Sequence, residues 1–311
     1  MVGSALVGSM KTALSLATLI VATALAAPAL AQTDDVRSFR IGEFSALALR
    51  DGTISLPNDN KVFGVGHTPQ DVAALLGEAG LPTDRLELSL QPLLVTTADR
   101  VMLFDTGAGT NMGPTAGKLP ASLEGAGIAA ATVTDIYISH SHGDHVGGLL
   151  NASGALAFPN ATIHISAPEW AFLKGMTPEQ ASGAGVGQHD KLVAAITPKV
   201  VAFEPGADII PDAVKAVDIK GHTPGHSGYM IRSKNKSVFY VGDTVHHFVV
   251  STRKPDWTCG FDTDAETSQA SRKAVLGAAA AKGQLIYAFH FPFPGIGKVK
   301  AKDAGFVWVP N

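Results

Sequence analysis

The chain lacks most of what marks several protein classes. Cys259 is the only cysteine in 311 residues, so no internal disulfide forms and the core must hold together unaided. We read Cys259 as a buried, inert thiol. There is no run of Lys or Arg, and the formal charge is -3. A nucleic-acid binder usually presents a basic face, so that class is disfavoured. There is no G-x-S-x-G elbow for an exposed serine nucleophile, no short-period repeat and no low-complexity segment. Beyond the N-terminal segment, no run is apolar and long enough to cross a bilayer.

That N-terminal segment differs from the rest. Lys11 is followed by an Ala-rich apolar run to Ala31 and then by polar Gln32-Thr33-Asp34-Asp35. Ala29-Leu30-Ala31 fits the small-residue rule for signal-peptidase cleavage. We read residues 1–31 as a secretory signal cut after Ala31, and Met10 as the more usual start. The run is short for a membrane span, and no twin-Arg pair precedes it. The expectation is a secreted or periplasmic protein with no membrane association after cleavage, made of one domain over 32–311.

Within that domain, strand-like and helix-like stretches alternate. Phe39 to Leu49 and Thr53 to Leu56 suggest a hairpin around Asp51-Gly52. Thr68 caps a helix with Pro69 in its first turn. Leu86 to Thr96 and Val101 to Phe104 read as paired strands, and Asp135 to Ser139 as a short buried one. A second series follows, with strands at Thr162 to Ile165, Val214 to Ile219, Tyr229 to Ile231, Val238 to Val241 and Leu285 to Phe289. Helices are expected at Pro168 to Leu173 and Ala265 to Ala281, and a surface loop at Gly183 to Gly187. Two such series suggest two packed sheets with helices outside.

The densest chemistry is SHSHGDHVGG, residues 139–148. In an extended chain residues i and i+2 point to one side, so His140 and His142 can address one metal. Gly143 lets the chain turn. Asp144 and His145 then leave in a new direction and can address a second metal. Two metals need more ligands, which should come from other strand ends. His222 in GHTPGHS, Asp243 in VGDT and His290 in HFPFPG each follow an apolar run and complete the set. Asp105 in FDTGAG is expected to hydrogen-bond within its loop or to a ligand His. His226 is either a partner that orients a ligand or structural, and His246 and His247 are structural in the first reading, with pocket lining the alternative. His67, His164 and His189 are read as structural.

In HSHGDH, FDTGAG, GHTPGHS and VGDT, taken in order, the sequence resembles the metallo-β-lactamase-fold hydrolases, over about Phe39 to Trp308. Within that superfamily GPTAGKL (Gly113 to Leu119) and HFPFPGIG (His290 to Gly297) resemble stretches of the methyl parathion hydrolase group, which also contains secreted lactonases and arylesterases. The resemblance implies an αββα sandwich, an α/β fold of two mixed sheets with helices on the outer faces. It implies that His140, His142 and His222 hold one metal, that Asp144, His145 and His290 hold the other, and that Asp243 bridges them. It also suggests a homodimer. A bridging Asp at 243 fits the lactonase, glyoxalase and phosphotriesterase branches better than β-lactam hydrolysis. No added C-terminal helical domain points to a glutathione site.

Two divalent ions sharing a water lower its pKa towards neutrality, so a bridging hydroxide is the expected nucleophile. One ion polarises the substrate C=O or P=O and the other steadies the leaving oxygen. Asp243 fixes the separation, and Asp144 helps move a proton to the leaving group. Zinc suits three His and a bridging carboxylate, while mixed N/O sets also accept Mn, Fe or Co. Met112, Leu173, Phe248, Trp257, Phe291 and Phe293 are candidates for a hydrophobic substrate pocket. The methyl parathion hydrolase group carries aromatic residues where this chain has Met112 and Leu173. That departure favours a small-molecule lactone, such as an acyl-homoserine lactone, or an aryl or other carboxylic ester. Phosphotriester cleavage is the alternative, with β-lactam hydrolysis or metal storage without catalysis behind it. Seven ligands for two metals leave open positions, which favours catalysis over storage.

Overall fold

The computed structural model describes residues 1–5 and 34–311. Residues 6–31 of the expected signal, with its cleavage point, lie outside the described residues. In chain order the elements begin β1 (Val36–Ile41), β2 (Phe44–Leu49), β3 (Gly52–Pro57), β4 (Phe63–Val65), α1 (Pro69–Glu78), β5 (Arg85–Leu90), β6 (Leu93–Thr96) and β7 (Val101–Phe104). Next come α2 (Leu119–Gly125), β8 (Asp135–Tyr137), α3 (Gly143–Val146), β9 (Thr162–Ser166), α4 (Ala167–Gly175), α5 (Pro178–Gly183), α6 (His189–Ile196) and β10 (Val200–Phe203). The remainder is β11 (Asp208–Ile210), β12 (Val214–Asp218), β13 (Ser227–Ser233), β14 (Lys236–Tyr240), α7 (Val250–Arg253), β15 (Thr258–Cys259), α8 (Ala265–Lys282), β16 (Ile286–Tyr287), β17 (Ile296–Lys302) and β18 (Gly305–Pro310).

Two mixed seven-stranded sheets form, in the orders β1-β2-β6-β7-β8-β9-β10 and β11-β12-β13-β14-β16-β17-β18. Period-2 alternation sorts their side chains. In β7 Met102 and Phe104 face the second sheet, while Leu103 faces the helices. In β14 Val238 and Tyr240 face inward, and Phe239 packs outward with Leu276 and Ala279 of α8. The space between the sheets is aromatic: Phe104 stacks on Tyr137 at 4.8 Å and meets Tyr229 edge-on at 5.5 Å. Leu119 and Leu123 of α2, Leu173 of α4 and Leu192 of α6 cover the first sheet. The result is an αββα sandwich. Among the described residues no helix is long and apolar enough to cross a membrane.

Three expectations need correction. Phe39 to Leu49 is itself a hairpin, in which Ile41 pairs with Phe44. Its turn uses Gly42, whose φ of 57° is left-handed and favours glycine. Thr53 to Leu56 does not pair with it; β3 swings out to pair with β5 as a separate two-stranded sheet. The cause is Asp51, whose buried carboxylate accepts from Ala108 N–H (2.8 Å), Gly117 N–H (3.1 Å) and Leu119 N–H (2.8 Å). That clamp holds the segment after β7 where a hairpin turn would otherwise lie. The stretch from Leu86 to Thr96 is two strands, broken at Gln91-Pro92, and only its second half pairs with β7. The closing hairpin β17-β18 and the short helices α5 and α6 lay outside the sequence reading.

Candidate metal centre

β8 delivers the histidine run. The chain leaves it buried through Ile138 and Ser139 and reaches His140 without helical turns. Asp105, just beyond β7, anchors this exit. Its Oδ1 accepts from Ser139 N–H at 2.7 Å, and its Oδ2 from Ser139 Oγ (2.6 Å), Tyr240 OH (2.7 Å) and His145 Nδ1 (2.7 Å). Asp105 sits at φ 57°, a conformation that Asp tolerates better than most residues. After His142 the chain enters α3, which carries Asp144 and His145. Gly143 is needed here for a different reason from the one expected. Its φ is ordinary, but a Cβ would strike the Gly185 carbonyl.

Two clusters result: His140, His142, His222 and Asp243 in one, Asp144, His145 and His290 in the other, with ligand atoms within 4.8 Å of one another in each. Asp243 lies between them. Its Oδ2 is 3.1 Å from His290 Nε2, 3.5 Å from His222 Nε2 and 3.6 Å from His140 Nε2. Its Oδ1 is 3.2 Å from His145 Nε2.

The hydrogen bonds behind the rings fix their tautomers. His145 Nδ1 faces Asp105, His222 Nδ1 faces Asp262 Oδ1 at 2.9 Å, and His290 Nδ1 faces the Ser89 carbonyl at 3.0 Å. These partners only accept, so each Nδ1 carries the proton. Ser139 Oγ gives its proton to Asp105, so His140 Nδ1 donates to it at 3.0 Å. Four Nε2 lone pairs therefore point into the clusters. His222 Nε2 is 3.2 Å from His140 Nε2 and 2.9 Å from His142 Nδ1, and His145 Nε2 and Asp243 Oδ1 find no hydrogen-bond partner. Lone pairs facing each other and a carboxylate, all buried, are reconciled by cations. The donor set fits two divalent ions of the N/O-preferring kind.

The electrostatics agree. Burial pushes His142 down to about 3 and His222 down to about 4, and holds His140 well below its ordinary value, so these rings are neutral donors of electron pairs. Burial also opposes charge on His145, but the carboxylates of Asp243, Asp144 and Asp105 outweigh it and raise its pKa, so its Nε2 takes up positive charge, as a proton or as a bound cation in its place. Burial would raise Asp243, yet the surrounding histidines, His145 foremost, hold it well below the carboxylate range. The field at Asp243 calls for positive charge.

Residues that the sequence reading did not single out complete the support. Asp262 Oδ2 accepts from Arg272 Nη2 at 2.9 Å, so a buried Arg272–Asp262–His222 chain orients one ring. Arg272 is further held by the carbonyls of Thr244, Pro255 and Trp257. No local motif announces either residue. His226 supports Asp243 through the backbone: its Nε2 accepts from Asp243 N–H at 3.0 Å. His246 Nε2 lies 3.2 Å from Asp243 Oδ2. His247 Nδ1 accepts from the N–H groups of Val249 and Val250. Neither lines the cavity. His164 bonds Asp135, His189 bonds the Leu173 carbonyl and His67 stacks on Trp257.

Above the clusters opens a cavity of about 590 Å³. His142, Asp144, Asp243 and His290 reach it, and its walls include Ile54, Leu56, Leu88, Met112, Phe172 and Phe261. Of the six expected pocket residues, Met112 alone lines it. Leu173 is turned into the core under α4, where its neighbour Phe172 takes the pocket side. Phe248 and Phe291 pack with Trp308 behind the second sheet. Trp257 stacks on His67, and Phe293 lies under the Arg50 guanidinium. The Gly183 to Gly187 stretch, expected as a plain surface loop, contributes Gly183, Ala184 and Gly185 to the wall. A larger hollow of about 810 Å³ lies on the other side of this stretch and touches none of the cluster residues.

The fold and paired clusters define a class, and the chain belongs to the metallo-β-lactamase superfamily, whose profile matches residues 92–282. Among solved structures it is similar to AidC, a dizinc quorum-quenching lactonase seen with its product N-hexanoyl-L-homoserine. The two share 30% identity over 89% of this chain and 99% of that one, with a TM-score of 0.84. It is also similar to the hydrolase AbOPH, at 28% identity over 90% and 99% of the two chains and a TM-score of 0.80. An AiiA variant of B. thuringiensis with N-decanoyl-L-homoserine at its active site shares the fold, at 19% identity over 83% and 100% of the chains and a TM-score of 0.57. No curated protein matches.

Proposed function

We propose that this chain is an exported two-metal hydrolase that opens lactones or cleaves aryl and other carboxylic esters. The observation that carries the reading is the set of inward-facing lone pairs around Asp243 at the floor of an apolar cavity. His140, His142 and His222 would hold one ion, Asp144, His145 and His290 the other, and Asp243 would bridge them, with zinc the preferred metal. Such ions supply Lewis-acid polarisation of a carbonyl or phosphoryl oxygen and acidify water at neutral pH.

The chain's own residues do the rest. The Arg272–Asp262 and Asp105 contacts fix ring orientation before substrate arrives, so no reorganisation is needed during reaction. The apolar wall from β3, β5 and α4 takes the acyl or aryl part of the substrate and excludes water. Asp144, at the cavity floor, would take the proton released by the attacking water and pass it to the leaving oxygen. The similarity to a dizinc lactonase supports the lactone half of this reading, and the leader-like start supports export.

The test is a side-by-side panel of a lactone, an aryl ester, methyl parathion and a cephalosporin. Fastest turnover of the lactone or ester is expected. Fastest turnover of methyl parathion would move the assignment to a phosphotriesterase, and fastest cleavage of the cephalosporin would overturn it.

A further inference from the structure

Glu169 is a fully buried carboxylate outside both clusters and, among the described residues, it has no ion-pair partner. Burying a charge without a cation is unfavourable unless hydrogen bonds replace its water. Here they do. Oε1 accepts from Ser141 N–H at 2.8 Å and Ser141 Oγ at 2.5 Å. Oε2 accepts from Thr223 Oγ1 at 2.7 Å and Gly225 N–H at 2.9 Å. Burial raises its pKa while these four bonds lower it. Burial wins and the pKa is raised overall, but the Ser141 and Gly225 N–H groups can only donate, so the carboxylate form is the one that keeps all four contacts as they stand.

The partners are not scattered. Ser141 stands between His140 and His142, and Thr223 follows His222. Glu169 lies in the first turn of α4, whose cap Ser166 also gives its hydroxyl to the Gly225 carbonyl at 2.6 Å. A Cβ on Gly225 would strike the Glu169 backbone, so glycine keeps the two segments in contact. One helix turn thus grips both ligand-bearing segments, which lie about eighty positions apart in the chain, by the separation of 80 between His142 and His222. The cluster so gripped brings three histidine rings and a share of Asp243, whereas its neighbour has Asp144 as well.

We propose that Glu169 is a positioning residue for the histidine-rich ion site, locking the His140–His142 segment against His222 and setting that ion's affinity independently of the other ion. This rests on the two-ion reading above. The test strips the mature chain of metal and titrates it with Co2+ against a competing chelator, following the visible absorption of each site. Asp144→Asn identifies the step belonging to the other site. Glu169→Gln should weaken the histidine-rich step by about 10-fold and leave the other within about threefold; the low end of the range for losing a ligand's direct partner applies because Glu169 holds the neighbours of the ligands and not the ligands themselves. Thr223→Val, which removes one donor, should weaken the same step less. Two unchanged steps overturn the proposal, and so does equal weakening of both. If Glu169→Gln does not fold, Thr223→Val decides, and no effect on the histidine-rich step overturns it. A wild-type chain with a single binding step sinks the two-ion reading and this proposal together. Two steps without turnover of any substrate count against the hydrolase alone.

Discussion

Asp262→Asn removes one charge from a buried three-residue chain and keeps its shape. The carboxylate makes two charge-assisted hydrogen bonds, to His222 Nδ1 and to Arg272 Nη2, both 2.9 Å. An amide offers one oxygen, so one partner must face an NH2 group. Losing a hydrogen bond to a charged group removes about 1.5–3 kcal/mol. Breaking a buried ion pair outright removes about 3–5 kcal/mol. Arg272 keeps three carbonyl acceptors, which argues for the lower range, about 2–3 kcal/mol. For a chain of this size that is a fall in Tm of roughly 3–5 °C. His222 would also lose the acceptor that fixes its tautomer, lowering metal affinity by about 10–100-fold. Thermal melts of stripped and zinc-loaded protein separate the two effects. The stripped variant should already melt lower, and zinc should restore less than it does in the wild type. A variant that melts like the wild type in both states would refute the role given to this chain.

Phe172→Ala shortens the cavity wall, and loss of about 1–2 kcal/mol of apolar contact should raise KM about 5–30-fold with kcat little changed, as steady-state kinetics on the best lactone or ester will show. Gly143→Ala places a methyl against the Gly185 carbonyl, and a shift of the segment carrying Asp144 should lower kcat/KM about 100-fold, measured with metal occupancy held equal. Asp135 is held down to about 2 from 3.8, against the pull of burial, by His164, Thr134 and Arg100. A lowered pKa gives stability that is present above about pH 4 and lost as pH falls towards about 2; with Arg100 part-exposed the gain is discounted to about 1 kcal/mol. Urea unfolding of the stripped chain between about pH 5 and 3 should therefore fall more steeply in the wild type than in Asp135→Asn.

The sequence shows the clusters well because their signal is local. Four of the seven residues fall within SHSHGDH, and the i, i+2 geometry of an extended exit explains their directions. His222, Asp243 and His290 each follow an apolar run, and such runs end at one rim of a layered fold. What supports them is invisible at that level. Glu169, Asp262 and Arg272 act through contacts formed only when distant segments meet, and each sits in a stretch that reads as an ordinary helix or loop. The pocket was hard to read for a related reason. Nearness to a motif says nothing of direction: Phe291 follows His290 yet packs with Trp308 behind the sheet, and Leu173 and Phe172 face opposite sides of α4. The Asp51–Gly52 hairpin failed because Asp51 is spent on backbone donors from 108 to 119, a partnership across the fold.

Hydrolysis by this chain requires two ions acting together beneath the cavity. The most direct measurement titrates the stripped chain with zinc while following hydrolysis of a lactone or ester. Activity should rise with added metal and break at two equivalents per chain. Full activity without metal, or a chain that takes up two equivalents and turns over neither lactone nor ester, would contradict the two-ion hydrolase reading.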